Sequence, residues 1–345
     1  MKALFIGGTG TISTHVVALA QQRGWDVTLL NRGTKPLPAG VQHMAVDIHD
    51  EEAVAKALAD KHYEVVAQYI GFTADDVERD IRLFRGKTRQ YIYISSASAY
   101  QKPPVDSLIT ESTPLVNPYW EYSQNKIASE KVLMAALRAE AFPVTIVRPS
   151  HTYNGTTPPV AVHGNNGSWQ VMKRILDGKP VLIPGDGTSL WTLTHASDFA
   201  KGFVGLMGNP HAIGHAFHIT TDERMTWNQI YQTIADELGQ PLKALHVSSD
   251  FLARHGEQYE LRGNLLGDKA CTALFDNAKV KRLVPDFVCT TSMAEGLRRC
   301  VRYTLSHEEL QVPDEAFDAW CDRVVDALDA ADNAFRSAIL WSARR

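Results

Sequence analysis

The sequence has few cysteines and no long hydrophobic run, and each of these absences excludes a class of protein. Its cysteines, Cys271, Cys289, Cys300 and Cys321, stand at wide, irregular spacings that match neither a zinc site nor a redox pair. We expect them to be reduced core residues. No apolar run approaches the length of a membrane span, and the opening residues match a buried strand better than a signal peptide. The sequence therefore predicts a cytoplasmic protein without a metal site or a membrane contact.

Clusters of basic residues are also lacking. Lysine and arginine number 35 against 39 acidic residues, which gives a net charge of −4, and the cations are scattered along the chain. Nucleic-acid binding normally leaves a concentrated basic footprint, so we expect a small-molecule partner and no nucleic acid. A length of 345 residues with 44% apolar content predicts a full core and about two domains.

The most informative segment lies at the N-terminus. An apolar run, Ala3–Ile6, is followed by the turn Gly7-Gly8-Thr9-Gly10 and by a helical pattern from Ile12 to Arg23. Gly7 permits a tight turn, and Gly10 leaves a pyrophosphate free to approach the amides at the helix N-terminus. Glycine-rich turns are common, but this placement between strand and helix predicts NAD or NADP binding. The candidate contacts in this segment are Gly7, Thr9, Gly10, Thr11 and Ile12.

Short apolar runs alternate with helical patterns through the first half of the chain. The predicted strands are Ala3–Ile6, Val27–Leu30, His43–Val46, Glu64–Ile70, Tyr91–Ile94 and Val144–Val147. This alternation predicts an α/β fold with a Rossmann-type, doubly wound parallel sheet. Ligands bind beyond the carboxyl ends of such strands. The residues placed there are Asn31, Asp47, Gly71, Ser95, Ser96, Arg148 and Ser150.

The pattern changes after Ser150. A stretch rich in glycine, asparagine and proline, 154–167, precedes helices and short strands without a repeat. We therefore expect a dinucleotide-binding domain over residues 1–150 and a smaller, mainly substrate-binding domain over residues 151–345. Residues Asp314 to Trp341 predict a long packed or interface helix.

Tyr122 and Lys126 form the candidate catalytic pair. They are four residues apart in a predicted helix from about Pro118 to Glu140, so both side chains lie on one helix face. An ammonium beside the phenol, helped by an oxidised nicotinamide, is expected to lower its pKa by roughly 1–3 units, and the lysine can also hold the nicotinamide ribose. Ser96 would orient the same substrate oxygen. The alternative is an ordinary exposed helical pair and a serine that caps a turn.

These residues resemble the NAD-dependent epimerase/dehydratase family of extended short-chain dehydrogenases/reductases. The resemblance covers roughly residues 1–300. Its motifs are Gly7-Gly8-Thr9-Gly10, Ser95-Ser96, Tyr122 with Lys126, Arg148-Pro149-Ser150, Pro184-Gly185-Asp186-Gly187, and His195 with Asp198. It implies a Ser96, Tyr122 and Lys126 triad, an adenine flanked by Asp47 and Ile48, and a return of residues 190–210 to the dinucleotide-binding domain.

The resemblance also implies a homodimer. The family's common interface packs the helix that carries Tyr122 and Lys126 against a twofold copy. Small residues on that helix, Ala128, Ala135 and Ala136, would allow close approach.

Departures from the family pattern narrow the chemistry. Ser13 replaces the third glycine, which predicts slightly looser helix packing. Asn31-Arg32 replaces the acid after the second strand, and this pair favours NADP over NAD because an arginine attracts the 2′-phosphate. Ala97 and Ser98 stand where sugar dehydratases carry an acidic pair, so dehydration is disfavoured. Net oxidation or reduction and epimerisation stay open.

The substrate side is less defined. Candidate contacts are Ser98, His151 and Trp191, the last standing where nucleotide-sugar enzymes carry a phosphate-binding arginine. Trp191 either stacks on a sugar ring or is a core aromatic, in which case an arginine such as Arg174 would bind phosphate. The predicted function is an NAD(P)-dependent oxidoreductase or epimerase acting on a hydroxyl or carbonyl of a sugar or nucleotide sugar. The alternative is a catalytically idle NADP-binding sensor or RNA-binding relative.

Overall fold

The computed structural model describes residues 1–342 and divides them into two compact units. The first unit comprises Met1–Asn154, Leu190–Arg224 and Leu266–Met293. The second comprises Gly155–Ser189, Met225–Leu265 and the chain from Ala294 onward. Residues 266–293, which the sequence analysis assigned to the substrate-binding domain, therefore pack with the first unit.

The strands and helices of the two units follow in chain order. The strands are β1 (Lys2–Ile6), β2 (Asp26–Asn31), β3 (Gln42–Ala45), β4 (Tyr63–Gln68), β5 (Thr88–Ile94), β6 (Leu108–Ile109), β7 (Val144–Pro149), β8 (His151–Tyr153), β9 (Val181–Pro184), β10 (Leu190–Trp191), β11 (Leu193–His195), β12 (Ala216–Ile219), β13 (Met225–Thr226), β14 (Ala244–Val247) and β15 (Leu274–Phe275). The helices are α1 (Ser13–Gln22), α2 (Glu51–Ala57), α3 (Ala74–Phe84), α4 (Glu121–Glu140), α5 (Trp169–Leu176), α6 (Ala196–Leu206), α7 (Trp227–Glu237), α8 (Ser249–His255), α9 (Ala278–Leu283), α10 (Met293–Leu305) and α11 (Glu315–Ser342).

A seven-stranded parallel sheet forms the centre of the first unit. Its strand order is β12-β7-β5-β4-β1-β2-β3, with in-register parallel pairs on both sides of β1. The predicted Rossmann-type architecture is confirmed, and all six predicted strands are present. β12 was not predicted. The chain order reverses between β1 and β4, and in such sheets the crevice at this reversal binds ligands.

Each face of the sheet is covered by helices, which explains the apolar runs. One core contains α1 and α6 residues such as Val17 and Phe203 together with Phe5 of β1. The other contains α3 and α4 residues such as Ile81 and Leu133 together with Leu4. Because alternate residues of one strand enter opposite cores, a strand in this position must be apolar throughout.

The second unit is mainly helical, with the short parallel pair β9 and β14. Its long helix α11 is held to the end of α5 by a charged cluster. The guanidinium of Arg174 lies 2.6 Å from the carboxylate of Asp318 and 2.8 Å from that of Asp322. Lys179 pairs with the same two carboxylates. No helix within residues 1–342 is both long enough and apolar enough to cross a lipid bilayer.

The carboxylate of Asp198, in the first turn of α6, anchors the segment 266–293 within the first unit. It accepts hydrogen bonds from the amides of Thr290 and Thr291 at 3.0 and 2.9 Å and from Lys201 at 2.6 Å. Burial raises the pKa of Asp198, but these bonds outweigh it and the net pKa lies below the usual value. The carboxylate therefore stabilises the fold above its unfolded pKa of about 3.9, and this contribution is lost as pH falls through the lower folded value.

We predict that Asp198→Asn destabilises the protein by about 2–3 kcal/mol at pH 7, because bonds to a charged acceptor are lost. Urea denaturation measures the change. Asp177→Asn is the matched control, since Asp177 pairs with Lys173 with both side chains about 40% exposed, and should cost less than about 1 kcal/mol. Equal effects of the two substitutions would contradict the anchoring role.

Candidate active site

The glycine-rich turn lies between β1 and α1, as the sequence predicts. Gly7 adopts a φ of 102°, in the left-handed region that favours glycine. A cavity of about 330 Å³ opens over this turn and is bounded by Gly7–Ser13, Lys35, Tyr69, Ile70 and Ile94. The cavity lies at the N-terminus of α1, where the strand order of the sheet reverses. The amides of a helix N-terminus bind anions, so this cavity fits the pyrophosphate of a dinucleotide.

Ser13, which stands at the position of the family's third glycine, lies in the first turn of α1. It is 2% exposed, and its hydroxyl oxygen accepts a hydrogen bond from the amide of Gly10 at 2.9 Å. The amide of Thr14 bonds to the carbonyl of Gly10 at 3.1 Å. The serine therefore ties the turn to the first turn of α1, and the amides of Thr11 and Ile12 are the ones best placed to receive phosphate.

A second cavity, of about 310 Å³, lies at the carboxyl ends of β1, β2 and β3 and fits an adenosine. Its lining residues are Gly7, Thr9, Leu30, Asn31, Arg32, Thr34, Lys35, Val46, Asp47, Ile48, His49 and Ile70. The predicted adenine neighbours Asp47 and Ile48 are both in this wall. One carboxylate oxygen of Asp47 accepts from the amide of His49 at 3.0 Å.

Asn31 and Arg32 have separate tasks in this cavity. The Asn31 amide donates to the carbonyl of Gly7 at 2.8 Å, and its oxygen accepts from the amide of Gly33 at 2.9 Å. These bonds hold the glycine turn in place, so Asn31 is a structural part of the cavity wall. Arg32 is 69% exposed in its side chain and lies 4.0 Å from the carboxylate of Asp47. Its guanidinium is therefore available to a ligand, as is the ammonium of Lys35 in the same lining.

The structure brings the three predicted catalytic residues together. Ser96 follows β5 at the start of a short 3₁₀ turn, Ala97–Ala99, and Tyr122 and Lys126 lie in the first turns of α4. The side chain of Ser96 acts to lower the pKa of Tyr122, which places the two side chains close to each other. The Lys126 ammonium lies 5.7 Å from the centre of the Tyr122 ring.

Lys126 is held firmly beneath the site. Its ammonium donates to the carbonyls of Gly71 and Ile94 at 2.7 and 2.8 Å, and the residue is 1% exposed. Burial lowers the pKa of Lys126 to about 7, although the charges of Asp76 and Glu130 oppose this change. One N–H of the ammonium is left for the ribose hydroxyl of a bound cofactor.

The pKa of Tyr122 moves in the direction opposite to the expected one. Burial raises it, the side chain of Ser96 opposes that change, and the charge of Asp268 adds to it. The ammonium of Lys126 faces the ring and spends two of its bonds on carbonyl groups, and the effect of burial on the pKa of Tyr122 prevails. The Tyr122 phenol is therefore protonated at neutral pH.

A chain of hydroxyl groups stands behind Ser96. Ser123 donates to the Ser98 oxygen at 2.7 Å, and the oxygens of Ser98 and Ser96 are 2.8 Å apart. Ser98 is 3% exposed, which corrects its expected role as a substrate contact: it orients Ser96 instead. Because Ser123 donates to the Ser98 oxygen, the Ser98 hydroxyl can donate its own proton to Ser96. The Ser96 proton is then free to point towards Tyr122 or a substrate oxygen.

Trp191 also differs from the expected sugar-stacking residue. It is 1% exposed, and its indole N–H donates to Nδ1 of the half-buried His151 at 3.4 Å. The ring therefore offers no open face for stacking, which supports the interpretation of Trp191 as a core aromatic. Arg174, the expected substitute for phosphate binding, is 1% exposed and engaged by Asp318 and Asp322, so that expectation is unsupported as well.

Two positioning residues escaped the sequence analysis. Glu130, two turns along α4 from Tyr122, accepts from Ser95 at 2.5 Å and from Arg148 at 2.9 and 2.6 Å. Asn117 donates to the carbonyl of Ser98 at 2.7 Å. The only sequence signal for Glu130 was its placement eight residues after Tyr122, on the same face of the helix. Among residues with described side chains, 1–339, no cluster of three or more metal-ligating side chains occurs.

Comparison with known proteins decides the family. Residues 3–220 match the NAD dependent epimerase/dehydratase family. The chain belongs to this family. This membership, together with relatives named as epimerases, dehydratases and reductases, makes the chain an NAD(P)-dependent epimerase or oxidoreductase.

Individual relatives show the breadth of the family. The chain is 25% identical over 289 residues to a 2'-dehydrokanamycin reductase of Streptomyces kanamyceticus, covering 83% of this chain and 80% of the relative. It is 25% identical over 255 residues to a chloroplast stem-loop binding protein of Arabidopsis thaliana, covering 70% and 64%. The UDP-glucuronic acid 4-epimerase of Bacillus cereus, solved with UDP-glucuronic acid and NAD, has a TM-score of 0.69 at 20% identity and covers 89% and 99%.

For this epimerase-family chain we predict that Tyr122→Phe lowers turnover at least about 100-fold, because general acid–base catalysis typically contributes that much. Cofactor affinity should hardly change, since the ring is kept. Initial rates across a panel of sugar ketones and alcohols, with cofactor titrations, measure both effects. Tyr303→Phe in α10, 40% exposed, is the control; near-normal turnover in Tyr122→Phe would remove Tyr122 from the chemistry.

Proposed function

We propose that the protein is an NADP-preferring reductase of a carbonyl group on a sugar or related polyol. The observation that carries this proposal is the half-buried Tyr122 phenol, which has a raised pKa and lies beside the Lys126 ammonium, 5.7 Å from its ring centre. A protonated acid is the form needed to reduce a carbonyl, whereas oxidation of an alcohol needs a phenolate.

The residues would act in a simple order. A bound NADPH supplies the hydride. Ser96 and Tyr122 hydrogen-bond the carbonyl oxygen, and the charge that develops there is met by the phenol proton. Ser98 and Ser123 keep the Ser96 proton directed at that oxygen. Lys126, fixed by two carbonyls, would hold the ribose.

Two further arguments favour reduction. Ala97 and the buried Ser98 provide no acid or base where dehydratases carry an acidic pair. The relative named 2'-dehydrokanamycin reductase matches along 83% of this chain, which supports a carbonyl substrate on a sugar ring. Epimerisation uses the same three residues and is the second candidate, supported by the structural neighbours named as epimerases.

A cation at the adenosine cavity supports NADP. Arg32 is exposed at its edge, and Lys35 lines both cavities, so positive charge surrounds the place where a 2′-phosphate would lie. Asp47 offsets part of this charge at 4.0 Å. RNA binding, suggested by the name of the chloroplast relative, finds no support in a chain with a net charge of −4 and scattered cations.

The cytoplasmic, homodimeric state is part of the proposal. Of the small residues expected at a twofold helix interface, Ala135 is exposed and Ala128 half-buried, whereas Ala136 is buried in the core beside α4. Ala136 therefore cannot serve the interface, and the dimer would rest on the exposed face of α4. Light scattering at micromolar concentration tests this state.

Reduction and epimerisation differ in what happens to the cofactor. We predict that a panel of keto-sugars and oxidised aminoglycosides will contain a compound that consumes one NADPH for each alcohol formed, followed by absorbance and product analysis. The same assay with nucleotide sugars and NAD is run for comparison. Interconversion of two sugar isomers without net loss of reduced cofactor would establish an epimerase and contradict the proposal.

Arg32→Ala should weaken NADP binding by about 1–2 kcal/mol more than NAD binding, because only NADP loses a charge-assisted contact, and solvent exposure limits its size. Calorimetric titrations with both cofactors measure the difference. Arg23→Ala, an exposed cation after α1, is the control. Equal losses for NADP and NAD would show that Arg32 does not contact the 2′-phosphate.

A further inference from the structure

Asp268 is a charged residue beside the triad that the reaction described above does not use. It lies near the end of a π-helical segment, Arg262–Lys269. π-Helical turns are rare and occur frequently at functional sites. The Asp268 side chain keeps 21% of its surface exposed.

Asn117 ties Asp268 to the catalytic serine turn. The buried amide of Asn117 donates to the carbonyls of both Ser98 and Gly267 at 2.7 Å. A Cβ on Gly267 would lie 2.9 Å from Cβ of Trp120, a distance at which the backbone would have to shift. The residue before Asp268 is thus held against the chain that leads into α4.

That chain places Asp268 next to the acting phenol. Trp120 and Tyr122 have ring centres 5.0 Å apart. Gly267, the residue before Asp268, lies against Trp120, so the chain that carries Asp268 passes one residue from the Trp120–Tyr122 ring pair. In agreement with this position, the charge of Asp268 acts to raise the pKa of Tyr122.

An ion pair with Lys102 holds the Asp268 carboxylate at this position. Its ammonium lies 3.5 Å from Oδ1 of Asp268, and its side chain is 1% exposed. The backbone amide of Lys102 bonds to the carbonyl of Val116 at 2.9 Å, which fixes the lysine close to Asn117. Burial raises the pKa of Asp268, and the charges of Lys102 and Lys269 oppose this change.

We propose that Asp268, oriented by Lys102, binds the hydroxyl group on the carbon next to the reacting carbonyl, so that the enzyme selects α-hydroxy ketones and vicinal diols. This inference rests on the carbonyl–alcohol chemistry proposed above. A carboxylate accepts hydrogen bonds only, so its ligand must be a donor. Lys102, 3.5 Å from Oδ1 of Asp268, already balances the carboxylate charge, which favours a neutral hydroxyl over an ammonium group as the ligand.

The test uses the oxidised holoenzyme with two small probes. Cyclohexane-1,2-diol carries the adjacent hydroxyl and cyclohexanol lacks it, and the dissociation constant of each is obtained by ligand-observed NMR with bound NADP. We expect the wild type to bind the diol about tenfold more tightly, the discrimination typical of a bond to a charged acceptor. Equal affinity, or no measurable binding of the diol, would overturn the proposal.

Substitutions test whether Asp268 binds the hydroxyl group of the ligand or only forms a structural ion pair with Lys102. Asp268→Ala should abolish the preference for the diol. Asp268→Ala leaves the Lys102 ammonium buried without its partner, which is destabilising. The double variant Lys102→Met with Asp268→Leu is therefore measured as well, because replacing both charges together avoids that penalty. The folded double variant should bind both probes alike. A preference kept in either folded variant would show that Asp268 does not contact the hydroxyl.

The same proteins distinguish failure of this inference from failure of the proposed function. NADPH-dependent reduction of 2-hydroxycyclohexanone and cyclohexanone is measured in parallel with binding. Turnover without discrimination between the two ketones would leave the reductase standing and reject Asp268. Discrimination in binding without turnover on any ketone would support Asp268 and reject the reductase.

Discussion

The buried carboxylate of Glu130 is the interaction on which the active site depends. It joins α4 to the ends of two strands, through Ser95 after β5 and Arg148 in β7. Burial of an ion pair is costly, and this one is offset by a two-point Arg148 contact and a third bond from the serine. Because Glu130 is one helical turn from Lys126, this anchor sets the depth at which the helix presents its lysine and tyrosine to Ser96.

Burial by that packing explains the protonation of the site. The ammonium of Lys126 is removed from water and bonded to two carbonyls, which lowers its pKa to about 7. The phenol of Tyr122 is removed from water too, which raises its pKa. Both changes favour neutral groups. A phenol is already protonated at neutral pH, and burial reinforces this proton-donating form of Tyr122.

Positioning of the site is shared among groups that touch no substrate. Ser98 and Ser123 orient Ser96, Asn31 holds the glycine turn, and Asn117 joins the serine turn to Gly267. Ser98, Ser123 and Asn31 can each donate and accept a hydrogen bond, and the Asn117 amide donates one bond to each of two carbonyls. Each of these side chains can therefore link two segments of the chain. Such links are worth about 1 kcal/mol each in stability, and their larger effect here is on the alignment of hydroxyl groups.

The sequence by itself determined the sheet, the glycine turn and the Tyr122–Lys126 pair. These are local features: strands buried on both faces must be apolar throughout, a turn with positive φ needs glycine, and residues four apart share a helix face. Only the tertiary structure decided that Ser98 supports Ser96, that Trp191 lies in the core, and that Gly267 packs against Trp120. Those outcomes depend on which distant segments meet and which side chains lose water, and neither property is contained in the spacing of residues along the chain.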